Sequence, residues 1–383
     1  MKDLFLLNPE ITFLNFGSFG ACPKPVFEEY QRWQLELERE PIQFMLHRGP
    51  AQLRTSREAL ATYVGCNSDD LVFTTNPSYA INIVAKSLKL QPGDEILTTD
   101  LEYGAMDRTW AHYSALNSYV YKRQPIHLPL QSEDDFCEQF WRGLTTKTKA
   151  IFISHITSST ALIFPVEKIC RRAKELGLLA IVDGAHVPGH IPLNLAQLNA
   201  DVYTGACHKW MMAPKGCSFL YATPQVQEWL EPLVVSWGYG NPTIMHTKFQ
   251  DYHQQQGTRD LSAFLTIPAC LNFMEKHNWV SESSKCTAMV LEQTPRFAEL
   301  LHSSANAPLN KEFFGQMCSL EIGTTQPELI KQKLYEEHQI EIPVMPHGTK
   351  VYIRFSLNAF NTTNDLDRLY EAIQVLQNQN LIA

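Results

Sequence analysis

Long apolar runs are missing from this sequence. None approaches the roughly 20 residues that a membrane-spanning helix needs, so no membrane contact is expected. The first ten residues, MKDLFLLNPE, hold one short apolar run closed by Asn8, Pro9 and Glu10, too short for a secretory signal. Basic charge is also short. Lys and Arg number 32 against 40 Asp and Glu, a formal net charge of −8. Binding to a phosphate backbone needs clustered Lys and Arg, so nucleic acid is not an expected partner. Paired cysteines are missing as well. The nine cysteines are scattered without CxxC spacing and are expected to be reduced thiols of a cytoplasmic protein rather than a disulfide frame. No internal repeat or low-complexity tract interrupts the chain.

What is present describes an ordinary globular enzyme-sized protein. The 383 residues are 44% hydrophobic and 19% charged, enough for two domains with a sizeable core. The most informative stretch is Asp201 to Tyr221, DVYTGACHKWMMAPKGCSFLY. A strand-like run (Val202, Tyr203) breaks into Gly205 and Ala206. His208-Lys209-Trp210 follows, then a turn at Pro214 and Gly216, then a second strand-like run from Cys217. A lysine between two strands, flanked by small residues and an aromatic, can be partly dehydrated, which lowers its pKa and frees the amine for a Schiff base. A solvated turn lysine would read the same from this segment alone.

The upstream sequence separates the two. Leu178 to Val182 is a continuous apolar run, the pattern of a strand buried on both faces, and it ends in Asp183-Gly184-Ala185-His186. Ligands of open α/β sheets bind at the carboxyl ends of strands, where Asp183 and Lys209 would meet. An acid that keeps a pyridine nitrogen protonated, with a Schiff-base lysine, is what pyridoxal phosphate requires of a protein. VDGAH followed by GACHKW resembles the class V aminotransferase family of fold-type I pyridoxal-phosphate enzymes, and within it the isopenicillin N epimerase branch. The resemblance runs from LNFGSFG (Leu14 to Gly20) to IRFSLNAFNTTNDLDRL (Ile353 to Leu369).

The resemblance implies an α/β fold: a large domain with a mostly parallel seven-stranded sheet between helices, and a smaller α+β C-terminal domain. The expected divisions are 1–20 as an N-terminal active-site segment, 21–261 as the cofactor-binding domain and 262–383 as the small domain. The strand–helix alternation up to Tyr221 agrees, reading as a sheet covered on both faces. Leu14 to Cys22 reads as a loop, and the resemblance makes Asn15 and Ser18 substrate contacts; a turn needing small residues is the plainer alternative. After the strand Leu71 to Thr74, the turn Asn76-Pro77-Ser78-Tyr79 opens a helix, a ready anion site. The family places the cofactor phosphate there. Pro77, Ser78 and Tyr79 depart from its usual small and hydroxyl residues, but the Ser78 hydroxyl and the Tyr79 N–H can serve. The plainer alternative is Ser78 as a helix N-cap.

Tyr103, after the strand Glu95 to Thr99, matches the position of a ring stacked on the cofactor; a core tyrosine is the alternative. SHITSST (Ser154 to Thr160) resembles the epimerase branch, with Ser158 facing cofactor or substrate and His155 a structural histidine. By the same resemblance, His186 bonds the cofactor phenolic oxygen and tunes the Schiff base, and His208 reaches the phosphate. Ala206 stands where desulfurases carry a phosphate-binding serine. Asp183, His186 and His190 imitate a metal set, but Pro188 and Gly189 spoil the helical spacing of the histidines, so no metal is expected. Val234 to Gln256 is patternless and reads as a long loop. It leads to GTRD, where the resemblance sends Thr258 across a dimer interface to the partner's phosphate, implying a homodimer with shared active sites. Val351 to Leu357 alternates, placing Arg354 off the buried face; it matches the arginine that grips the substrate α-carboxylate.

These readings define a pyridoxal-phosphate enzyme acting at Cα of an amino acid, with Lys209, Asp183 and His186 in the catalytic roles. Racemases, transaminases and β-lyases share this beginning, and an inactive relative that keeps the fold is the alternative outside catalysis. Cysteine desulfurases need a nucleophilic cysteine on a loop shortly before the arginine. Glu341 to Gly348 has none, and the nearest upstream cysteine is Cys318.

Overall fold

The computed structural model describes residues 1–240 and 246–383. The strands in chain order are β1 (Thr12–Phe13), β2 (Leu71–Thr74), β3 (Glu95–Thr99), β4 (Val120–Gln124), β5 (Thr148–Ser154), β6 (Leu179–Asp183), β7 (Val202–Ala206), β8 (Ser218–Ala222), β9 (Met317–Ile322), β10 (Ile340–Glu341), β11 (Val344–His347) and β12 (Lys350–Ser356). Seven of them form the main sheet in the order β2-β8-β7-β6-β5-β3-β4. Neighbours are parallel except at β8, which runs antiparallel to both β2 and β7. The two reversals cancel across β8, so β2 also ends at the edge where β3, β5, β6 and β7 end.

The near-continuous apolar runs of β5 to β8 follow from burial on both faces. Alternate residues feed two cores. Phe152, Ile181, Val202 and Leu220 join the helices Pro77–Ser87 and Gly104–Asn117 through Ile81, Val84, Met106 and Trp110. Ile151, Val182, Tyr203 and Phe219 join the helix Val166–Glu175 through Ile169 and Cys170. Between β3 and β5 the strand ends are clipped together by a buried carboxyl. Glu102 accepts from Thr99 Oγ1 at 2.7 Å and from the Ser154 backbone N–H at 2.9 Å.

A smaller antiparallel sheet, β11-β12-β9, lies in the C-terminal part. The N-terminal segment is tied into it: β1 pairs parallel with β10, and Asn15 bridges Ser356. This docking buries the second face of β12. Arg354 is 1% exposed, with Tyr352 and Ser356 buried beside it, so the placement of Arg354 off the buried face is corrected. The alternation is present, but the N-terminal segment at Ser18 and the turn at Ser158 cover the side that would otherwise be solvated. Two loops are also revised. Phe16–Phe19 is a short helix, and within the stretch expected to be a loop Lys248–Gln254 is helical, capped by Thr247. Asn241 to Met245 of that stretch lie outside the described residues. The last helix, Thr363–Asn378, carries the reciprocal Thr362–Asp365 cap that its spacing predicts.

Three core histidines make the fold acid-sensitive. Burial pushes His155, His190 and His253 down to about 3. A histidine depressed in the fold contributes stability that is present above its unfolded value near 6.5 and is lost as pH falls toward the folded value. Glu102 and Asp183, pushed up by burial to about 8 and about 6, act in the opposite sense between those values and about 4. His186 and His208 are depressed in the same sense and add to the three, while Asp70, Asp107 and Asp201, raised less by burial, oppose them over a narrower range, which leaves net loss on acidification. Stability by urea unfolding is therefore expected to decline between pH 6 and pH 4.5. His253, fully buried and, among the described residues, with both ring nitrogens unpartnered, gives the cleanest check. In His253→Leu the slope should be shallower by about 1.4 kcal/mol per pH unit, one proton's worth.

Candidate active site

The strand ends at the common edge and the turn into β8 enclose a cavity of about 510 Å³, within the ~300–1,000 Å³ usual for small-molecule sites. Lys209 and His208 reach it from the turn after β7, Asp183 from the last position of β6 and His186 from the turn that follows. The lysine amine lies 3.2 Å from His186 Nε2. Loss of hydration, reinforced by the cationic Arg354 and opposed by Asp183, brings Lys209 down to about 8. Asp183 is 3% exposed, and one of its oxygens accepts from Ala185 N at 3.0 Å. Burial raises its carboxyl to about 6, against the pull of that bond and of Lys209. A cation placed against Asp183 would restore it to full ionisation. His208 donates from Nδ1 to the Cys217 carbonyl, 2.9 Å away, and burial lowers it to about 4, so its Nε2 is an acceptor until an anion draws a proton onto it.

The opposite wall is the turn Thr75 to Ser78 at the start of the helix Pro77–Ser87. Asn76 is the N-cap here, accepting from Tyr79 N at 2.8 Å. The helix is thus capped by Asn76 and not by Ser78, the plainer alternative, and the Tyr79 N–H expected to serve an anion is already bonded. Asn76, Pro77 and Ser78 line the cavity, whereas Tyr79 does not. Tyr103, 46% exposed, lines the wall at the start of the helix Gly104–Asn117 and is not a core tyrosine. His155 is buried with Nδ1 at 3.1 Å from the Tyr203 hydroxyl, a structural histidine.

The Arg354 guanidinium sits behind two lining residues. Nη1 donates to the Ser158 carbonyl at 2.6 Å and Nη2 to Ser18 Oγ at 3.1 Å, while Nε is buried without a partner among the described residues. No carboxylate among the described residues pairs with it, and burial lowers it to about 10. An unpaired buried cation is costly, and a carboxylate arriving between Ser18 and Ser158 would replace neutral acceptors with a charge. Asn15 does not line the cavity. It accepts the Ser18 hydroxyl proton and so turns the serine oxygen toward Arg354. Thr258 is solvent-exposed and outside its own chain's cavity. Sequence reasoning missed Lys215 and Gly216, which line the cavity because β8 begins beside the end of β2 (Thr74 opposite Ser218). It also missed Glu102. A turn lysine beside PKG and a lone glutamate carry no periodicity, so only strand pairing reveals them.

The group implied by this set fits it. An amine with a lowered pKa, a buried carboxylate, a hydroxyl-bearing helix start and a planar ring on the wall answer, in turn, the aldehyde, pyridine nitrogen, phosphate and ring face of pyridoxal phosphate. Fold and site together define a fold-type I enzyme of that cofactor. Comparison with known proteins narrows this. The family model "Aminotransferase class-V" matches residues 22–369. Isopenicillin N epimerase of Amycolatopsis lactamdurans is 32% identical, over 98% of this chain and 97% of its own. Hercynylcysteine sulfoxide lyase of Schizosaccharomyces pombe is 29% identical, over 71% and 70%. Among solved structures, a C-DES variant with glycine covalently linked to its PLP cofactor superposes with a TM-score of 0.83 at 21% identity, over 97% and 98%. The chain belongs to the class V aminotransferase family, and it is a pyridoxal-phosphate enzyme.

One backbone approach sets the position of Lys209. Gly20, at φ +64°, lies so close that a Cβ would stand 2.4 Å from the His208 carbonyl and 2.8 Å from Lys209 Cα. Gly20→Ala is expected to lower Tm and weaken cofactor binding measured by fluorescence titration. Gly177→Ala is the control. It shares the positive φ (+69°), but a Cβ there meets nothing within 4 Å; it should cost only the backbone term of about 1–2 kcal/mol and leave cofactor affinity unchanged.

Proposed function

We propose that the chain catalyses proton exchange at Cα of an amino acid, with reprotonation of Cα, an epimerase-type outcome, as the principal fate. The observation that carries it is the lowered Lys209 amine beside Asp183, in a cavity whose far side holds an unpaired arginine. Lys209 holds the cofactor through its aldehyde, and Asp183 holds the ring nitrogen. His186 donates to the phenolic oxygen. Tyr103 covers the ring, and Asn76, Pro77 and Ser78 form the phosphate turn, with His208 contributing once protonated. Lys215 adds a cation at that end, offsetting the hydroxyl that Ala206 lacks. The cofactor supplies an electron sink for charge developing at Cα. Arg354 grips the α-carboxylate beside Ser18 and Ser158, and Asn15 orients Ser18. That grip leaves the Cα proton for the Lys209 amine to carry.

The lack of a thiol near Arg354 supports this reading over persulfide formation. Glu341 to Gly348 carries β11, and Cys318 is fully buried on β9 opposite Phe355. Elimination needs no such thiol. The likeness to a sulfoxide lyase therefore keeps C–S cleavage as the second reading. The further proposals are the divisions 1–20, 21–261 and 262–383, a cytoplasmic location, for which nine free cysteines speak, and a homodimer in which Thr258 completes the partner's phosphate site. Among the described residues no helix is long and apolar enough to cross a membrane.

In deuterated water a panel of L-amino acids and amino-acid sulfoxides, followed by NMR, should show exchange at Cα with loss of chirality. Pyruvate and ammonia in equal amounts would replace the epimerase reading with the lyase one. No exchange by cofactor-loaded protein would sink both. Arg354→Lys should slow exchange about 10²-fold, because an ammonium cannot make the bidentate grip. Borohydride should fix the cofactor mass on the peptide containing Lys209. For shared sites, mixing inactive Lys209→Ala and Thr258→Ala subunits should recover part of the activity; a monomer by light scattering would exclude it.

A further inference from the structure

A hydrogen-bonded chain runs from the small sheet to the reactive amine, and every direction in it is dictated by what each atom can do. The backbone N–H of Gln316, one residue before β9, lies 2.6 Å from His190 Nε2. A backbone N–H only donates, so His190 Nε2 is an acceptor. His190 Nδ1 lies 3.0 Å from the His186 carbonyl, which only accepts, so Nδ1 carries the proton. The His190 ring stacks on Trp210 with centroids 4.1 Å apart. The Trp210 indole N–H points at His186 Nδ1, 3.3 Å away, and an indole nitrogen only donates. His186 Nδ1 is thereby an acceptor, and the proton of its neutral ring must sit on Nε2. That nitrogen faces Lys209 Nζ at 3.2 Å. An Nε2–H can bond only a lone pair, so the pairing requires Lys209 as the uncharged amine.

The other groups around this pair are Asp183, Arg354 and His208. Arg354 opposes a proton on either member, and Asp183 alone favours one on the lysine. Burial drives His186 well below its ordinary value, so a doubly protonated ring does not compete. Packing leaves the chain little freedom. Trp210 is fully buried and His190 is 5% exposed. Gly315 backs His190 so closely that a Cβ would stand 2.2 Å from Nε2.

We propose that Trp210 is a positioning residue that fixes His186 as the Nε2–H tautomer, and that this tautomer holds the Lys209 amine as the free base able to take up a carbonyl. The idea rests on Lys209 being the cofactor-bearing residue, but its first test does not involve the cofactor. In cofactor-free protein labelled with ¹⁵N-histidine, the His186 resonances should show a protonated Nε2 and an unprotonated Nδ1 from pH 6 to 9. In Trp210→Phe the ring remains under His190 but the N–H is gone. His186 should then populate both tautomers, and capture of pyridoxal phosphate by Lys209 under cyanoborohydride at pH 7 should slow about two- to tenfold, the worth of one ordinary hydrogen bond. Because Trp210 is central to the packing, the same measurements with benzothienylalanine at position 210, which keeps the indole shape without the N–H, separate lost donation from lost fold. A wild-type His186 protonated on Nδ1 would overturn the proposal. So would a benzothienylalanine protein with unchanged tautomer and capture rate. If wild-type protein captures no cofactor at all, the cofactor assignment to Lys209 fails, and the tautomer spectrum still decides the role of Trp210.

Discussion

The site depends on keeping one lysine amine short of water. Dehydration alone would make Lys209 a poor cation, and the unpaired charge of Arg354 pushes the same way, while Asp183 limits the fall. An amine in this balance is ionised often enough to remain soluble in its surroundings and neutral often enough to attack a carbonyl. The surrounding structure is arranged around that balance. The hairpin from β7 to β8 brings the lysine to the strand ends, the clip at Glu102 holds two of those ends in register, and Gly20 lets the N-terminal segment lie on the lysine backbone.

Much of the large sheet was legible because buried parallel strands are written as unbroken apolar runs, and Asp183 and Lys209 fall where such runs stop. The long 234–256 stretch hid its helix because Lys248–Gln254 is short and buries polar residues, Gln250, Asp251 and His253, rather than an apolar stripe. Arg354 was placed on an open face because alternation reports that two faces differ, not what covers each. The cover comes from Ser18, 336 positions earlier in the chain, and from the turn at Ser158, 196 positions earlier. Tyr79 was read as a free donor because capping by Asn76 or by Ser78 looks alike until the turn geometry is known.

The small sheet is bound to the site by polar contacts as well as by packing. Arg354 on β12 reaches Ser18 and Ser158, Ser319 on β9 donates to the Ser159 carbonyl at 2.6 Å, and Gln316 meets His190. Three elements distant in sequence thus share one network, and Arg354, Ser319, Gln316 and His190 are buried where an unmade bond is costly. A carboxylate that engages Arg354 therefore acts on the same serines that tie the N-terminal segment and the 154–160 turn together.

The two edges of the main sheet differ in what they will accept. All of the chemistry lies where β2, β3, β5, β6 and β7 end and β8 begins. The opposite edge carries the turns that lead into the parallel strands, such as those at Gly93 and Gly177, where an added Cβ meets nothing. Gly104 and Gly216 on the site rim also leave an added Cβ free, so what separates the two rims is the chemistry that only one of them carries. Peptide tags, spliced domains or new chain ends belong at the turns before β3 and β6. The hairpin between β7 and β8 has no helix in which a change of length could be absorbed, so a residue added or removed there moves the lysine itself.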